Sequence, residues 1–398
     1  MKAGAFEFGD RFTGGTLRVD YVFCGNATHQ AIYLQGLSEG GVWAGRRSNL
    51  QEPLLRGNGQ IRMLDPDTRE VLYVNSFSTL FQEWVAYEEA RHVDRAFENC
   101  FLLPYPKAPV LVQVVLTDSR GRESTRLEHP VDPEDILIRK LEAPKGATAK
   151  SIHSGGPVEK AIDIVILAEG YTKKDKRKFF RDAARARDAL FGHEPFASHK
   201  ADFNIRAVFL PSDDRGPSIP REEIWNRTVA SSHFDTFYTE RYLTSSSQQG
   251  IYDALAGESF EHIIVLVNTP VYGGGGIFNN LTIMGSDHRT FKVVLVHEFG
   301  HAFAGLADEY AYGETAEPVY PLDAEPWEPN ITTLVDFGSK WADLMLSGTD
   351  VGLYEGAGYS LTGVYRPVPA CRMRINECDD FCPVCTRAIE RMIDYCTR

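Results

Sequence analysis

The sequence predicts a two-domain α+β protein, an N-terminal antiparallel β-sandwich followed by an α/β domain. Three observations lead there. The chain has 398 residues, more than one core ordinarily serves. Its first third is a series of short apolar segments separated by turn residues. Its remainder alternates apolar runs with segments of helical spacing.

The early segments TLRVDYVFCG, QAIYLQGL, GQIRML, EVLYVNSF and PVLVQVVLTDSRG are rich in Val, Leu, Ile, Tyr and Phe. Turn chemistry separates them, as at Gly57-Asn58-Gly59 and Asp65-Pro66-Asp67, and together they predict a sandwich over residues 1–135. Within it, LFQEWVAYEEARHV has helical spacing and predicts one helix interrupting the strands. The stretch LEAPKGATAKSIHSGGPVEK has linker composition, which places a linker at 136–160. From 161 to 398, AIDIVILAEGY, FNIRAVFLPS and HIIVLVNTP predict buried strands. KKDKRKFFRDAARARDALFG predicts an amphipathic helix with a basic face.

Composition narrows the function classes. A formal net charge of -13 disfavours a broad nucleic-acid or anionic-membrane surface, so no nucleic-acid partner is expected. No apolar run is long enough for a transmembrane segment. The opening MKAGAFEFGDRFTGG has no apolar h-region, so no signal peptide is visible. Five of the seven cysteines fall after residue 370, in a C-x6-C-x3-C-x2-C cluster plus Cys396. That pattern reads as a local staple, either a structural zinc site or local disulfides, the latter ranked first for an exported protein.

The segment FKVVLVHEFGHAFAGLADEY carries the chemistry. Its H-E-x-x-H string puts His297 and His301 one helical turn apart on one face, where two neutral imidazoles can grip one Zn2+. Glu298 is then free to take a proton from zinc-bound water as general base. The bare string arises by chance on the order of a few times per hundred chains of this size, so the flanks matter. Val294, Leu295, Val296, Phe299 and Phe303 give the helix an apolar body, in which an uncompensated Glu298 is expensive. A third ligand needs a helix break, because a straight helix carries Asp308 about 10 Å past His301. Gly305 is placed to supply the break. Asp308 is favoured as third ligand over Glu309, its rival, by the Gly-x-x-ligand offset.

HEFGHAFAGLADEY, together with RPVPACRMR, FCPVCTRAIERMID, AIDIVILAEGYT, SSHFDTFY and VYGGGGIFNN, resembles the bacterial immunoglobulin A peptidase family of zinc metalloendopeptidases. The resemblance covers most of residues 160–398. It implies a metzincin-like zinc peptidase domain with a methionine turn beneath the metal, and Met373 in CRMR is the candidate. It also implies His297, His301 and Asp308 as ligands, Glu298 as catalytic residue, and a periplasmic, cell-surface or secreted location. One departure from the usual H-E-x-x-H-x-x-G-x-x-H pattern is plain: Gly305 comes one residue late and Asp308 replaces the last His.

The Tyr272–Gly276 stretch lacks the context of a phosphate loop and suits an edge strand or turn near the cleft, where an extended peptide could add. Tyr359 and Tyr365 are candidate oxyanion donors, with packing as the plainer role of each. His233 reads as structural. The function expected is a metalloendopeptidase acting on protein or peptide substrates. A zinc amidase, or a surface binding protein with a structural zinc, stands beside it. The N-terminal domain is expected to contact a protein, a glycan or the catalytic domain itself.

Overall fold

The computed structural model describes residues 6–311 and 319–398; the first five residues of the expected sandwich lie outside that description. The chain is α+β, with a β-rich N-terminal region. Strands β1 (Phe12–Gly25), β2 (Gln30–Val42), β3 (Gly59–Leu64) and β4 (Val71–Phe77) are followed by the short helix α1 (Leu80–Trp84). Then come β5 (Arg95–Pro106), β6 (Val110–Thr117), β7 (Glu123–Val131) and β8 (Arg139–Lys140). They form two four-stranded sheets, ordered β5-β1-β2-β8 and β4-β3-β6-β7. Leu17, Val19, Tyr21 and Phe23 of one sheet share a buried core with Ile61, Met63, Val112 and Val114 of the other. Alternate residues of each strand point inward, as a two-sheet packing requires. The pairing is antiparallel except where β8 joins β2 in parallel.

The helix expected over LFQEWVAYEEARHV is broken in two. Thr79 caps α1 by accepting from the Gln82 amide. The chain leaves the helix after Trp84, and Tyr87 is extended before a single 3₁₀ turn at Glu88–Arg91. Burial of Phe81 and Trp84 fixes the first turn, and the exposed acidic stretch behind it buries too little to extend the helix.

Residues 136–160, expected as a linker, supply β8 to the first region and β9 (Thr148–Ser154) to the second. The second region holds β10 (Ile162–Glu169), α2 (Lys176–Leu190), β11 (Phe203–Phe209), β12 (His262–Val267), β13 (Gly274–Ile277) and β14 (Leu281–Gly285). Helix α3 (Phe291–Ala304), the hairpin β15 (Tyr354–Ala357) and β16 (Ser360–Arg366), and helix α4 (Pro383–Thr397) follow, among shorter elements. The six-stranded sheet runs β13-β14-β12-β10-β11-β9. Its inner strands are parallel and both edge strands antiparallel.

Every residue of β10 and β12 is buried, which is why these strands read as continuous apolar runs. Ile162, Ile164 and Ile166 face the side covered by α2, α3 and α4. Val165 and Leu167 face the other side, with Phe234, Leu243 and Ile251. Glu169, buried at the end of β10, accepts from the amides of Ala230 and Ser232 at 2.8 and 3.0 Å, which ties the following loop to the sheet.

The two regions are joined by direct bonds. Arg18 Nη1 meets Asp253 Oδ1 at 2.6 Å, the Gln249 amide donates to Glu98 at 2.9 Å, and Trp327 Nε1 donates to Asn58 Oδ1 at 2.6 Å. The Ser78 amide donates to the Phe278 carbonyl at 3.0 Å. No helix among the described residues is long and apolar enough to cross a membrane.

Candidate metal centre

Helix α3 lies beneath the edge of the sheet and presents His297, Glu298 and His301 on one side. It ends where the sequence places the break. Gly305 adopts φ 61°, and its amide and that of Leu306 bond back to His301 and Gly300 at 3.1 and 3.3 Å. This left-handed cap is open to glycine at little cost. An added Cβ there would also meet the Trp327 ring at 2.6 Å.

The reversal returns the chain to the histidines. Asp308 Oδ1 stands 3.1 Å from His297 Nε2 and 3.3 Å from His301 Nε2, and the two Nε2 atoms are 3.0 Å apart. Their outer nitrogens are held from behind, His297 Nδ1 by the Arg372 carbonyl at 3.0 Å and His301 Nδ1 by the Leu306 carbonyl at 2.5 Å. Such contacts fix both rings with Nε2 facing inward. Asp308 Oδ1 is buried and has no hydrogen-bond donor, whereas Oδ2 accepts from the Tyr359 hydroxyl. An orphaned carboxylate oxygen facing two imidazole nitrogens is costly without a cation between them. These three residues can therefore hold a metal ion.

The same groups are strongly coupled in charge. Burial opposes a charged His301, but the facing Asp308 outweighs it and raises the imidazole to about 9. Burial likewise opposes the Asp308 carboxylate, yet the two histidines hold it well below the ordinary range. Burial pushes Glu298 upward, against the pull of His297 and His301.

Glu309 turns the other way. Its Oε1 accepts from Asn330 Nδ2 at 3.0 Å and meets Cys385 Sγ at 3.1 Å, while its amide donates to the Met373 carbonyl at 2.8 Å. Of the two acids, it is Asp308 whose carboxylate lies beside the histidines. Met373 is fully buried, and a Cβ built on Gly300 would lie 3.1 Å from its sulfur. It packs against α3 between the two histidine turns. Tyr359 is committed to Asp308, while Tyr365 lies in β16, its amide bonded to the Thr332 carbonyl at 2.8 Å. The His233 ring meets the Phe234 carbonyl at 2.7 Å, and its backbone pairs with Thr244.

The glycine stretch becomes β13, the antiparallel edge strand above α3. A Cβ on Gly276 would fall 2.1 Å from the Glu298 carbonyl and 2.9 Å from His301 Cβ, so glycine is required by the closeness of strand and helix. The outer edge of β13 is partly taken: Tyr242 bridges to Gly274 in parallel.

Three residues at the centre carried no sequence signal. Asn330 clamps the turn by accepting from the Ala307 amide at 2.7 Å and donating to its carbonyl at 2.9 Å. Tyr242 donates to Glu83 Oε2 at 2.6 Å. Glu83, from α1 of the N-terminal region, is raised to about 7 by burial, against the Tyr242 bond, with Asp308 adding to the rise.

The family model described as IgA Peptidase M64 matches residues 151–351 and 345–393. A second, described as Peptidase M64 N-terminus, matches residues 7–128. The chain belongs to the IgA peptidase M64 family. It is accordingly a metallopeptidase, a hydrolase of protein or peptide substrates. The two matches divide the chain much as its two β-containing regions do. No curated protein matches it.

Proposed function

We propose that this M64 family member is a zinc metalloendopeptidase with a metzincin-like centre, in which His297, His301 and Asp308 hold Zn2+ and Glu298 is the general base. The observation that carries this reading is the convergence of two Nε2 atoms and one orphaned carboxylate oxygen within 3.0–3.3 Å of one another. Ligands on one tetrahedral zinc, at about 2.0–2.1 Å from it, lie roughly 3.3 Å apart. A His, His, Asp set also leaves a coordination position open, as catalytic zinc sites do and structural ones do not. When bound, zinc supplies a Lewis acid that polarises the scissile carbonyl and lowers the pKa of water.

The chain's own residues do the rest. Glu298 stands beside the first histidine, with its carboxylate under β13 near Gly274. Held above its ordinary pKa by burial, it accepts a proton from the attacking water and returns it to the departing amine. Tyr359 orients Asp308 rather than serving the oxyanion, because its proton is already given to Oδ2. Met373 forms the floor beneath the histidines. The N-terminal region serves the catalytic one by contact, placing Glu83 against Tyr242 at the cleft.

The test is cleavage of a mixed-sequence peptide library by the zinc-loaded chain. Internal cleavage that a chelator abolishes and zinc restores is expected. Absence of cleavage across the library from fully loaded protein would refute an endopeptidase.

A further inference from the structure

Next to Asp308 along the chain begins a second group of donors that the peptidase reaction does not use. Glu309, Cys371, Cys382 and Cys385 are each buried, and their ligand atoms all lie within 4.8 Å of one another. They come from three segments. Glu309 follows Asp308 directly, Cys371 opens the Met373 turn, and Cys382 and Cys385 cap and begin α4.

We propose that these four residues bind a second, structural Zn2+. The spacing is that of a tetrahedral site. With zinc–sulfur bonds of about 2.3 Å, two thiolates on one tetrahedral ion lie ~3.8 Å apart; Cys371 Sγ and Cys385 Sγ are 3.8 Å apart. Glu309 Oε1 is 3.1 Å from Cys385 Sγ, while its Oε2 is buried and unpartnered. Two of the sulfurs also accept backbone hydrogen bonds. Cys371 Sγ accepts from the Cys382 amide at 3.2 Å, and Cys382 Sγ from the Cys385 amide at 3.5 Å, at a helix N-terminus, where thiolates are favoured.

The local disulfides expected for this cluster fit less well. None of the seven cysteines is bonded to another. Three thiols converge on one carboxylate, so any single disulfide among them strands the third sulfur and Glu309 in a dry interior. Four protein ligands close the coordination sphere, which marks a structural rather than a catalytic ion. Such an ion fixes Glu309, and through the adjoining peptide Asp308, against the Met373 turn and α4.

Cobalt distinguishes this site from the catalytic one, because only the second contains sulfur. The experiment loads full-length wild type and the His297→Ala/His301→Ala variant with Co2+ and records the near-ultraviolet thiolate-to-cobalt charge-transfer bands. Both proteins should show the bands, and the variant as isolated should retain one equivalent of zinc where wild type carries two. Cys371→Ser/Cys385→Ser should lose the bands. In unaltered wild type, an organomercurial should release one equivalent of zinc that a chelator leaves in place, a readout that needs no variant to fold. Cobalt-loaded wild type without thiolate bands would overturn the proposal, as would alkylation and mass analysis finding Cys371, Cys382 or Cys385 in a disulfide. None of these readouts depends on peptide cleavage.

Discussion

At the residue scale, the account rests on which atom of each side chain faces the centre. Asp308 presents one oxygen to the histidines and gives the other to Tyr359. Removing the hydroxyl in Tyr359→Phe leaves the carboxylate in place but frees its rotation. Such supporting contacts are typically worth about 10–100-fold in metal affinity or activity. A drop of that size in zinc affinity, measured by competition with a chromophoric chelator, is expected. Unchanged affinity with lost turnover would instead give Tyr359 a role on the substrate. His262 offers a pH-dependent test away from the ligands. Its ring packs on Phe303 and Phe299 with centroids 5.0 and 6.1 Å away, and burial lowers it to about 4. The folded state therefore favours the neutral ring. That stability is fully present above the ordinary histidine pKa near 6.5 and is lost as pH falls from there through about 4. His262→Leu should flatten this loss in denaturant titrations at pH 7, 5.5 and 4; an unaltered pH slope would mean that another group governs it.

At the element scale, the close approach of β13 to α3 is the constraint that positions Glu298. With a Cβ at Gly276 only 2.1 Å from the Glu298 carbonyl, strand or helix must move. Overpacking of this kind costs roughly 1–3 kcal/mol. Gly276→Ala is expected to lower both the thermal midpoint and kcat, whereas Gly36→Ala, with nothing within 4 Å of its Cβ, should lower neither. Equal behaviour of the two variants would argue that β13 is not pressed on the helix. The same strand shows where sequence reading stopped. Four consecutive glycines marked an edge or turn near the cleft, but nothing in them announced that Tyr242 would bridge to the edge an extended peptide was expected to use. That contact joins positions 32 residues apart in the chain, and local pattern cannot encode it.

At the scale of the whole molecule, the legible features were local ones. The H-E-x-x-H spacing, the glycine break and the returning acid lie within twelve residues, from His297 to Asp308, where the helix period and the Gly-x-x-ligand offset can be read without tertiary information. Apolar runs gave the buried parallel strands for the same reason. What escaped was assembly. The composition of 136–160 suggests a linker, yet its ends pair with a sheet on either side, because backbone pairing needs no apolar signature. Asn330 and Glu83 reach the centre from far along the chain. Glu83 in particular brings the N-terminal region close to the charges of the centre. Tyr242→Phe should therefore leave folding intact but change KM or kcat, through the loss of its 2.6 Å bond to Glu83. Steady-state kinetics on one cleaved peptide will decide this, and unaltered constants would reduce the contact to packing.

The most direct test of the central claim is zinc content and peptide cleavage measured side by side for wild type and Glu298→Gln. Glutamine keeps the shape of the side chain and leaves all three ligands untouched, but it cannot accept the proton. Equal zinc in both proteins is expected, with cleavage reduced by about 10²–10⁴-fold in the variant, the usual contribution of a general base. Cleavage that survives the substitution at the wild-type rate, with zinc unchanged, would contradict the assignment of Glu298 and the mechanism built on it.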